Sequence, residues 1–340
     1  MAAKQAQPAG LTVRVAMARS NLSFAAARDR PVLEAGLAAS MNLPRGCKTG
    51  NCGACRVRLL EGRIRYPHGR PAGLGEREIA DGFVLLCQAH ADSDLILEVP
   101  GFRRADETAV KRLPCRIERA EAVAHDVMQL GLRLPAVEPF RFQPGQYIDV
   151  LLPRGRRRSF SIASPPHDSP LLELHVRRVA GGEFSEPLFE ADPRGGLLTI
   201  EGPLGNFVYR HGAAPLLLIG GGTGIAPLIS ILRHVIENGI ERDITLYWGV
   251  RGEADLYAMP ALRRLQARTF FRCVPVLSEP GVEWVGERGW VHAAALRDSA
   301  LASCEIYAAG PPAMIVAVQV ECAARQVPAD RLQLDSFDYA

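Results

Sequence analysis

Apolar and polar residues alternate with a period of two over 11–15, 56–60 and 95–99, the spacing of strands with one buried face. Residues 31–39 carry their apolar positions at helical spacing instead. From 111 to about 211 the apolar runs are short and broken by proline and glycine: 115–120, 127–134, 147–152, 158–161 and 171–178. Short strands with frequent turns predict a small antiparallel barrel. From 214 the pattern changes. A continuous apolar strand, 215–219, runs into a glycine-rich turn; 227–237 is helical in spacing and 244–248 is again a strand. This βαβ order predicts a doubly wound parallel sheet with helices on both faces. The expected architecture is multidomain, α+β and α/β, with domains over 11–102, 111–212 and 213–340. The polar stretch 101–110 suits a linker, and residues 1–10 suit a mobile tail.

The chain has 340 residues, of which 48% are hydrophobic and 23% charged, as in ordinary globular proteins. A net charge of +3 is too small to argue for nucleic acid as a partner. No apolar run approaches the length needed to span a bilayer, and the first ten residues lack the apolar core of a secretory signal. The expectation is a cytoplasmic monomer that binds neither nucleic acid nor membrane.

The cysteines change this bland picture. Cys47, Cys52, Cys55 and Cys87 cluster, whereas Cys115, Cys273, Cys304 and Cys322 are scattered and read as small buried hydrophobes. In a reducing compartment a dense cysteine group suggests metal or redox chemistry. The spacing Cys47-x4-Cys52-x2-Cys55, with Cys87 further on, fits a plant-type [2Fe–2S] cluster. Gly46, Gly50 and Gly53 give the loop the freedom to turn its N–H groups toward the sulfurs, and Ala54 allows close approach. A structural zinc site is the alternative, but such sites more often pair two Cys-x2-Cys knuckles, and only one is present. A Rieske centre needs two histidine ligands, and His68 and His90 have no Cys-x-His pairing.

The string Pro44-Arg-Gly-Cys-Lys-Thr-Gly-Asn-Cys-Gly-Ala-Cys55 resembles the ferredoxin loop of NADH-dependent reductase components of multicomponent oxygenases. The stretch from Glu61-Gly62 through Cys87 to Asp94-Leu-Ile-Leu-Glu98 extends the likeness. The chain is also similar to the reductase of 3,6-dideoxysugar biosynthesis, CDP-6-deoxy-delta-3,4-glucoseen reductase, which has the same domain order. The resemblance implies a β-grasp ferredoxin domain, then a flavin barrel, then a nucleotide domain. Arg45, Lys48, Arg56, Arg58, Arg63 and Arg65 surround the cluster loop, either as ordinary solvated surface or as a face for an acidic acceptor protein.

In the barrel region Arg158-Ser-Phe-Ser161 resembles the Arg-x-Tyr-Ser signature of ferredoxin–NADP reductase-type flavin domains. By that likeness Arg158 pairs with the FAD pyrophosphate, Phe160 stacks on the flavin, and Ser161 bonds near flavin N5 as the one side chain of catalytic weight. An arginine fork suits phosphate. Phe160 departs from the family tyrosine and lacks its hydroxyl. Pro144-Gly-Gln-Tyr147 resembles a family barrel strand. Gly181-Gly182-Glu-Phe-Ser185 resembles the second phosphate segment, with Gly182 and Ser185 as contacts. His175 and Val176, followed by Arg177, are implied to flank the flavin. FAD rather than FMN follows from the ferredoxin unit coming first.

Gly220-Gly-Gly-Thr-Gly-Ile-Ala-Pro227 follows an apolar strand and opens a helix, a context that suits a dinucleotide phosphate. It resembles the Gly-Gly-Gly-Thr-Gly-x-x-Pro turn of the same reductases, which implies nicotinamide-dinucleotide contacts at Gly221, Gly222, Thr223, Gly224 and Pro227. Tyr307-Ala-Ala-Gly310-Pro311-Pro312-Ala-Met314 resembles the family Cys-Gly-Pro-Pro-x-Met, with Ala309 in place of cysteine and Gly310 and Pro311 at the site. Asp335-Ser-Phe337 resembles the terminal acid-x-aromatic segment, in which Phe337 covers the flavin. Glu253 and Asp255, beyond the second nucleotide strand, tilt the choice to NADH, with NADPH as the alternative.

Together these motifs imply an oxidoreductase that passes electrons from NADH through FAD and a [2Fe–2S] cluster to an acceptor protein. That acceptor is expected to be an oxygenase or hydroxylase component, with a radical dehydrase of deoxysugar synthesis as the runner-up. A ferredoxin-like sensor or scaffold with degenerate flavin sites is the reading of another class, and Phe160 and Ala309 are its support.

Overall fold

Val13, Val15 and Met17 point to one side of strand β1 (Thr12–Met17), and Phe24 and Ala26 do the same from β2 (Ser23–Ala27), so the two pair with one buried face. In the computed structural model, residues 12–18, 22–39, 41, 43–45, 48–51, 53–99, 110–136, 140–167, 171–267, 271–297 and 301–337 are described. Cys47, Cys52, Gly46, the expected tail 1–10 and nearly all of the expected linker lie outside them. The fold divides into two compact units, Met1–Asp106 and Glu107–Ala340.

In the first unit, helix α1 (Val32–Ala38) precedes the cysteine loop. Strands β3 (Arg56–Glu61) and β4 (Ile64–Arg65), the short helix α2 (Glu76–Ala80) and strands β5 (Phe83–Leu85), β6 (His90–Ala91) and β7 (Leu95–Glu98) follow it. The main sheet has the order β2-β1-β7-β3-β5, and β1 and β7 run parallel at its centre. Val15, Val57, Leu95 and Leu97 from those strands, with Val32 and Leu33 from α1, form the core.

The second unit opens with six antiparallel strands: β8 (Lys111–Ala124), β9 (Val127–Arg133), β10 (Tyr147–Leu151), β11 (Arg157–Ser161), β12 (Leu171–Arg177) and β13 (Leu197–Leu204). Their order is β11-β10-β13-β8-β9-β12, and an Ile162–Leu174 bridge joins the two ends into a barrel. The barrel buries Leu130, Ile148, Ile162 and Val176 inside. Helix α3 (Pro187–Glu190) lies between β12 and β13.

The remaining strands, β14 (Leu216–Gly221), β15 (Ile244–Val250), β16 (Phe271–Leu277), β17 (Glu287–Arg288), β18 (Glu305–Gly310) and β19 (Leu332–Ser336), form a parallel sheet in the order β17-β16-β15-β14-β18-β19. Helices α4 (Ile225–Glu237), α5 (Met259–Gln266), α6 (Val291–Ala295) and α7 (Pro312–Ala324) are its crossovers. Every residue of β14 is buried, as expected of a central strand covered on both faces. Trp248 and Tyr307 are the largest side chains fully enclosed in this sheet.

Barrel and sheet are packed together within the second unit. Ser230 on α4 donates to the Ser164 carbonyl of the barrel at 2.8 Å, out of contact with water. The buried Arg242 pins the connecting segment, donating to the carbonyls of Ala214 (Nε, 2.8 Å) and Arg210 (Nη1, 3.1 Å) while pairing with Glu305. No helix among the described residues is long and apolar enough to cross a membrane.

Candidate cofactor sites

Cys55 and Cys87, 32 residues apart in the first unit, converge. Both are nearly inaccessible, and the Leu86 N–H donates to the Cys55 carbonyl at 3.2 Å. The Tyr66 hydroxyl accepts the Leu85 N–H at 3.0 Å; burial pushes its phenol up to about 12, that bond opposes the rise, and Cys55 and Cys87 add to it. The loop that leads into Cys55 bends through Lys48, Gly50 and Gly53, all with positive φ. At Gly73 a methyl group would meet the carbonyl oxygens of Asn51 and Gly50, so the loop is closely covered there. Two converging buried cysteines, one closing a glycine-bent loop and one arriving after β5, fit a [2Fe–2S] cluster. The other cysteines are built differently. Burial pushes the thiols of Cys115 and Cys322 up to about 11 and that of Cys273 up to about 12, which keeps them protonated. Around the loop Arg56 pairs with Glu78 and Arg65 with Asp92, while Lys48, Arg58 and Arg63 are exposed.

Three consecutive arginines, Arg156 just before β11 and Arg157 and Arg158 on it, have different fates. Arg156 is tied to Glu183 and Arg157 to Glu201, whereas Arg158 has no carboxylate partner among the described residues. Arg158 and Phe160 share one face of the strand, where Phe160 packs on Phe184 at 5.2 Å between ring centroids. Ser161 lies on the opposite face of the strand, away from the barrel interior, and is buried there. Its Oγ is buried without a hydrogen-bond partner, as are Asp335 Oδ2 and Ser336 Oγ. Burial pushes the Asp335 carboxyl up to about 7, and the adjacent Ser161 hydroxyl offsets this only in part. Polar atoms left unsatisfied in an interior are costly, and a group of them is the mark of a ligand site. An unpaired arginine on one face and orphaned hydroxyls on the other fit FAD. Of the second phosphate segment, Ser185 Oγ accepts the Val179 N–H at 3.0 Å, and a side chain at Gly182 would strike that hydroxyl at 2.5 Å.

The nucleotide turn begins where β14 ends. Gly222 has φ of +56°, and a methyl group on Gly224 would collide with the Ala309 carbonyl. A methyl group on Gly221 would meet Met314 Sδ at 2.7 Å and Pro311 at 2.9 Å, so this turn and the Gly310-Pro311 segment lie against one another. The Trp248 indole N–H donates to the Gly222 carbonyl at 3.0 Å and fixes the turn from beneath. Pro227 is buried in the first turn of α4, and Thr223 remains partly accessible beside Gly222. The Phe337 N–H donates to the Gly310 carbonyl at 3.0 Å. Ala309, which replaces the family cysteine, pairs with Gly220 on one side and with Asp335 on the other. Ser161, Asp335, Ala309 and Gly224 thus form one continuous path from barrel to nucleotide turn.

His175 does more than flank this junction. Its Nε2 donates to Glu173 at 3.1 Å, and its Nδ1 shares a 3.0 Å hydrogen bond with the Tyr257 hydroxyl of the nucleotide domain. Burial alone would raise the Glu173 carboxyl, but His175, Gln129 and Arg119 together bring it down to about 2. Val176 is wholly buried in the barrel. Asp255, weighed in the sequence as a ribose partner, is turned inward instead: its Oδ2 accepts the Gly252 N–H at 3.0 Å. Glu253 stays exposed.

Three family models match in the order of these sites: a 2Fe-2S iron-sulfur cluster binding domain over 15–92, an oxidoreductase FAD-binding domain over 114–209 and an oxidoreductase NAD-binding domain over 218–320. The chain is 33% identical over 310 residues to the CDP-6-deoxy-L-threo-D-glycero-4-hexulose-3-dehydrase reductase of Yersinia pseudotuberculosis, covering 91% of this chain and 93% of that one. It is 34% identical over 323 residues to the reductase component of propane 2-monooxygenase from Mycolicibacterium goodii, covering 91% and 92%. Among solved structures, the Amycolatopsis cytochrome P450 reductase GcoB superposes with a TM-score of 0.72 at 30% identity, over 96% of this chain and 99% of that one.

Proposed function

The chain belongs to the family of NADH-dependent iron–sulfur flavoprotein reductases, and from that premise we propose that it is the electron donor of a multicomponent oxygenase. When bound, FAD and the [2Fe–2S] cluster supply the redox chemistry, accepting two electrons with a hydride from NADH and releasing them singly to an acceptor protein. The chain's own residues bind, orient and shield. Arg158 would hold the FAD pyrophosphate, Phe160 would cover the flavin, and Ser161 would donate a hydrogen bond at the reacting edge. Cys47, Cys52, Cys55 and Cys87 would hold the cluster, and Gly221 to Gly224 with Gly310 and Pro311 would seat the dinucleotide. The three domains would take the limits 11–102, 111–212 and 213–340.

The observation that carries this reading is the set of buried, partnerless polar atoms on Ser161, Asp335 and Ser336, which lies against the nucleotide turn. The exposed Lys48, Arg58 and Arg63 suit an acidic face on the acceptor. A dehydrase acceptor is the second reading, favoured by the nearly full-length match to a dehydrase reductase. An anaerobic NADH titration followed by visible absorbance and low-temperature EPR tests the electron path. Flavin bleaching with a [2Fe–2S] signal supports it, and inert chromophores overturn it. Turnover with an oxygenase component encoded beside this gene, against turnover with a sugar-nucleotide dehydrase, decides the acceptor.

A further inference from the structure

The β8–β9 turn carries His125 and Asp126 from the flavin barrel to the nucleotide domain. Asp126 Oδ2 lies 3.1 Å from Arg177 Nε on β12 and 3.3 Å from Arg251 Nη2 at the end of β15. The carbonyl of Asp126 accepts the Arg178 N–H at 2.7 Å, which fixes the turn to β12. His125 Nδ1 is 3.6 Å from Asp255 Oδ1, so the neighbouring residue is also held to the nucleotide domain. Beyond Asp126 the Arg177 fork continues: its Nη1 is 3.2 Å from where a methyl group on Gly222 would stand. A guanidinium is planar and rigid, so a carboxylate on its Nε edge sets the direction of its Nη edge. The carboxylate also separates two like charges that would otherwise repel.

We propose that Asp126, braced by Arg251, is a positioning residue that aims Arg177 at the diphosphate of the dinucleotide in the Gly222 turn. This rests on the reading of that turn as the NADH site. A cation site is the other use of this corner, since His125, Asp126 and Asp255 bring ligand-type atoms within 4.8 Å of one another. Arg177 and Arg251 already supply two positive charges against the two carboxylates, which leaves no net negative charge to draw a metal ion.

The test is a double-mutant cycle on the purified holoenzyme, with ADP-ribose binding followed by calorimetry and flavin and cluster absorbance as checks of integrity. Asp126→Ala and Asp126→Asn weaken ADP-ribose about tenfold, the size of a charge-assisted hydrogen bond. The KM for NADH rises in step while kcat stays within about twofold, the pattern of lost ground-state binding. Asp126→Glu restores most of the affinity. Arg177→Ala weakens binding at least as much, and the Asp126→Ala/Arg177→Ala pair is no weaker than Arg177→Ala alone, because Asp126 acts only through Arg177. Multiplying effects in the pair, unchanged binding in Asp126→Ala, or tighter binding there each overturn the proposal. Wild-type protein that binds no ADP-ribose overturns the reading of the turn itself.

Discussion

The Ser161 hydroxyl lies against the buried Asp335 carboxyl and offsets part of the cost of its charge, yet neither Ser161 Oγ nor Asp335 Oδ2 completes a well-formed hydrogen bond within the chain. The carboxyl, ordinarily near 3.8, is pushed up to about 7 by burial. Its folded value lies above its unfolded one. The stability it contributes is therefore fully present below about pH 4 and is lost as the pH rises toward 7. Asp335→Asn removes the ionisation. The variant's melting temperature, relative to the wild type, is higher at pH 8 than at pH 5 in flavin-free protein. A difference that does not change with pH would show that Asp335 titrates as an ordinary carboxylate.

Ser161→Ala deletes the buried donor and leaves the barrel strand in place. Reduction of bound flavin by NADH slows about 100-fold, the cost of removing one preorganised donor, with iron and FAD content unchanged. Stopped-flow absorbance at the flavin band is the measurement, and a rate equal to the wild type would remove Ser161 from the reaction.

Arg157 and Arg158 are neighbours in sequence but not in role. Arg158→Ala raises the dissociation constant for FAD about tenfold or more, as expected for loss of a charge-assisted phosphate contact. Arg157, paired with Glu201, has its charge satisfied within the chain, and Arg157→Ala leaves FAD retention close to wild type. Flavin content after gel filtration separates the two.

Gly224→Ala drives a methyl group against the Ala309 carbonyl, and backbone on both sides resists the shift. Overpacking of this kind costs about 1–3 kcal/mol. A lower urea midpoint, together with a raised KM for NADH, is the expected result.

Cys87→Ser removes the proposed cluster ligand that arrives from outside the loop. The [2Fe–2S] EPR signal is lost while NADH still bleaches the flavin, because barrel and nucleotide domain form a unit of their own. Loss of flavin reduction as well would argue against that independence.

Much of this architecture is legible in the sequence because its signals are local. The glycine turn after β14 is written in consecutive residues, as is the spacing of Cys47, Cys52 and Cys55. The two-residue period of β1 and the unbroken apolar run of β14 likewise report burial on one face or two. What is not local is not legible. Asp335 reaches Ser161 only because β19 joins the far edge of a parallel sheet, and nothing near residue 335 announces that partner. Asp126 looks like a hairpin residue until the fold brings Arg177 and Arg251 to it. Asp255 misleads for the same reason: its position beyond the second strand suggests a ribose contact, whereas its side chain closes a turn at Gly252.

The supply of Ser161 by the barrel and of Asp335 by the last strand of the nucleotide sheet has a consequence for grafting. A nucleotide domain transplanted from a relative brings its own acid to the host's serine. The chimera then takes its pH response from the donor and its flavin hydroxyl from the host. The carboxyl comes from one domain and the hydroxyl that moderates it from the other, so an exchange of either domain retunes the pair.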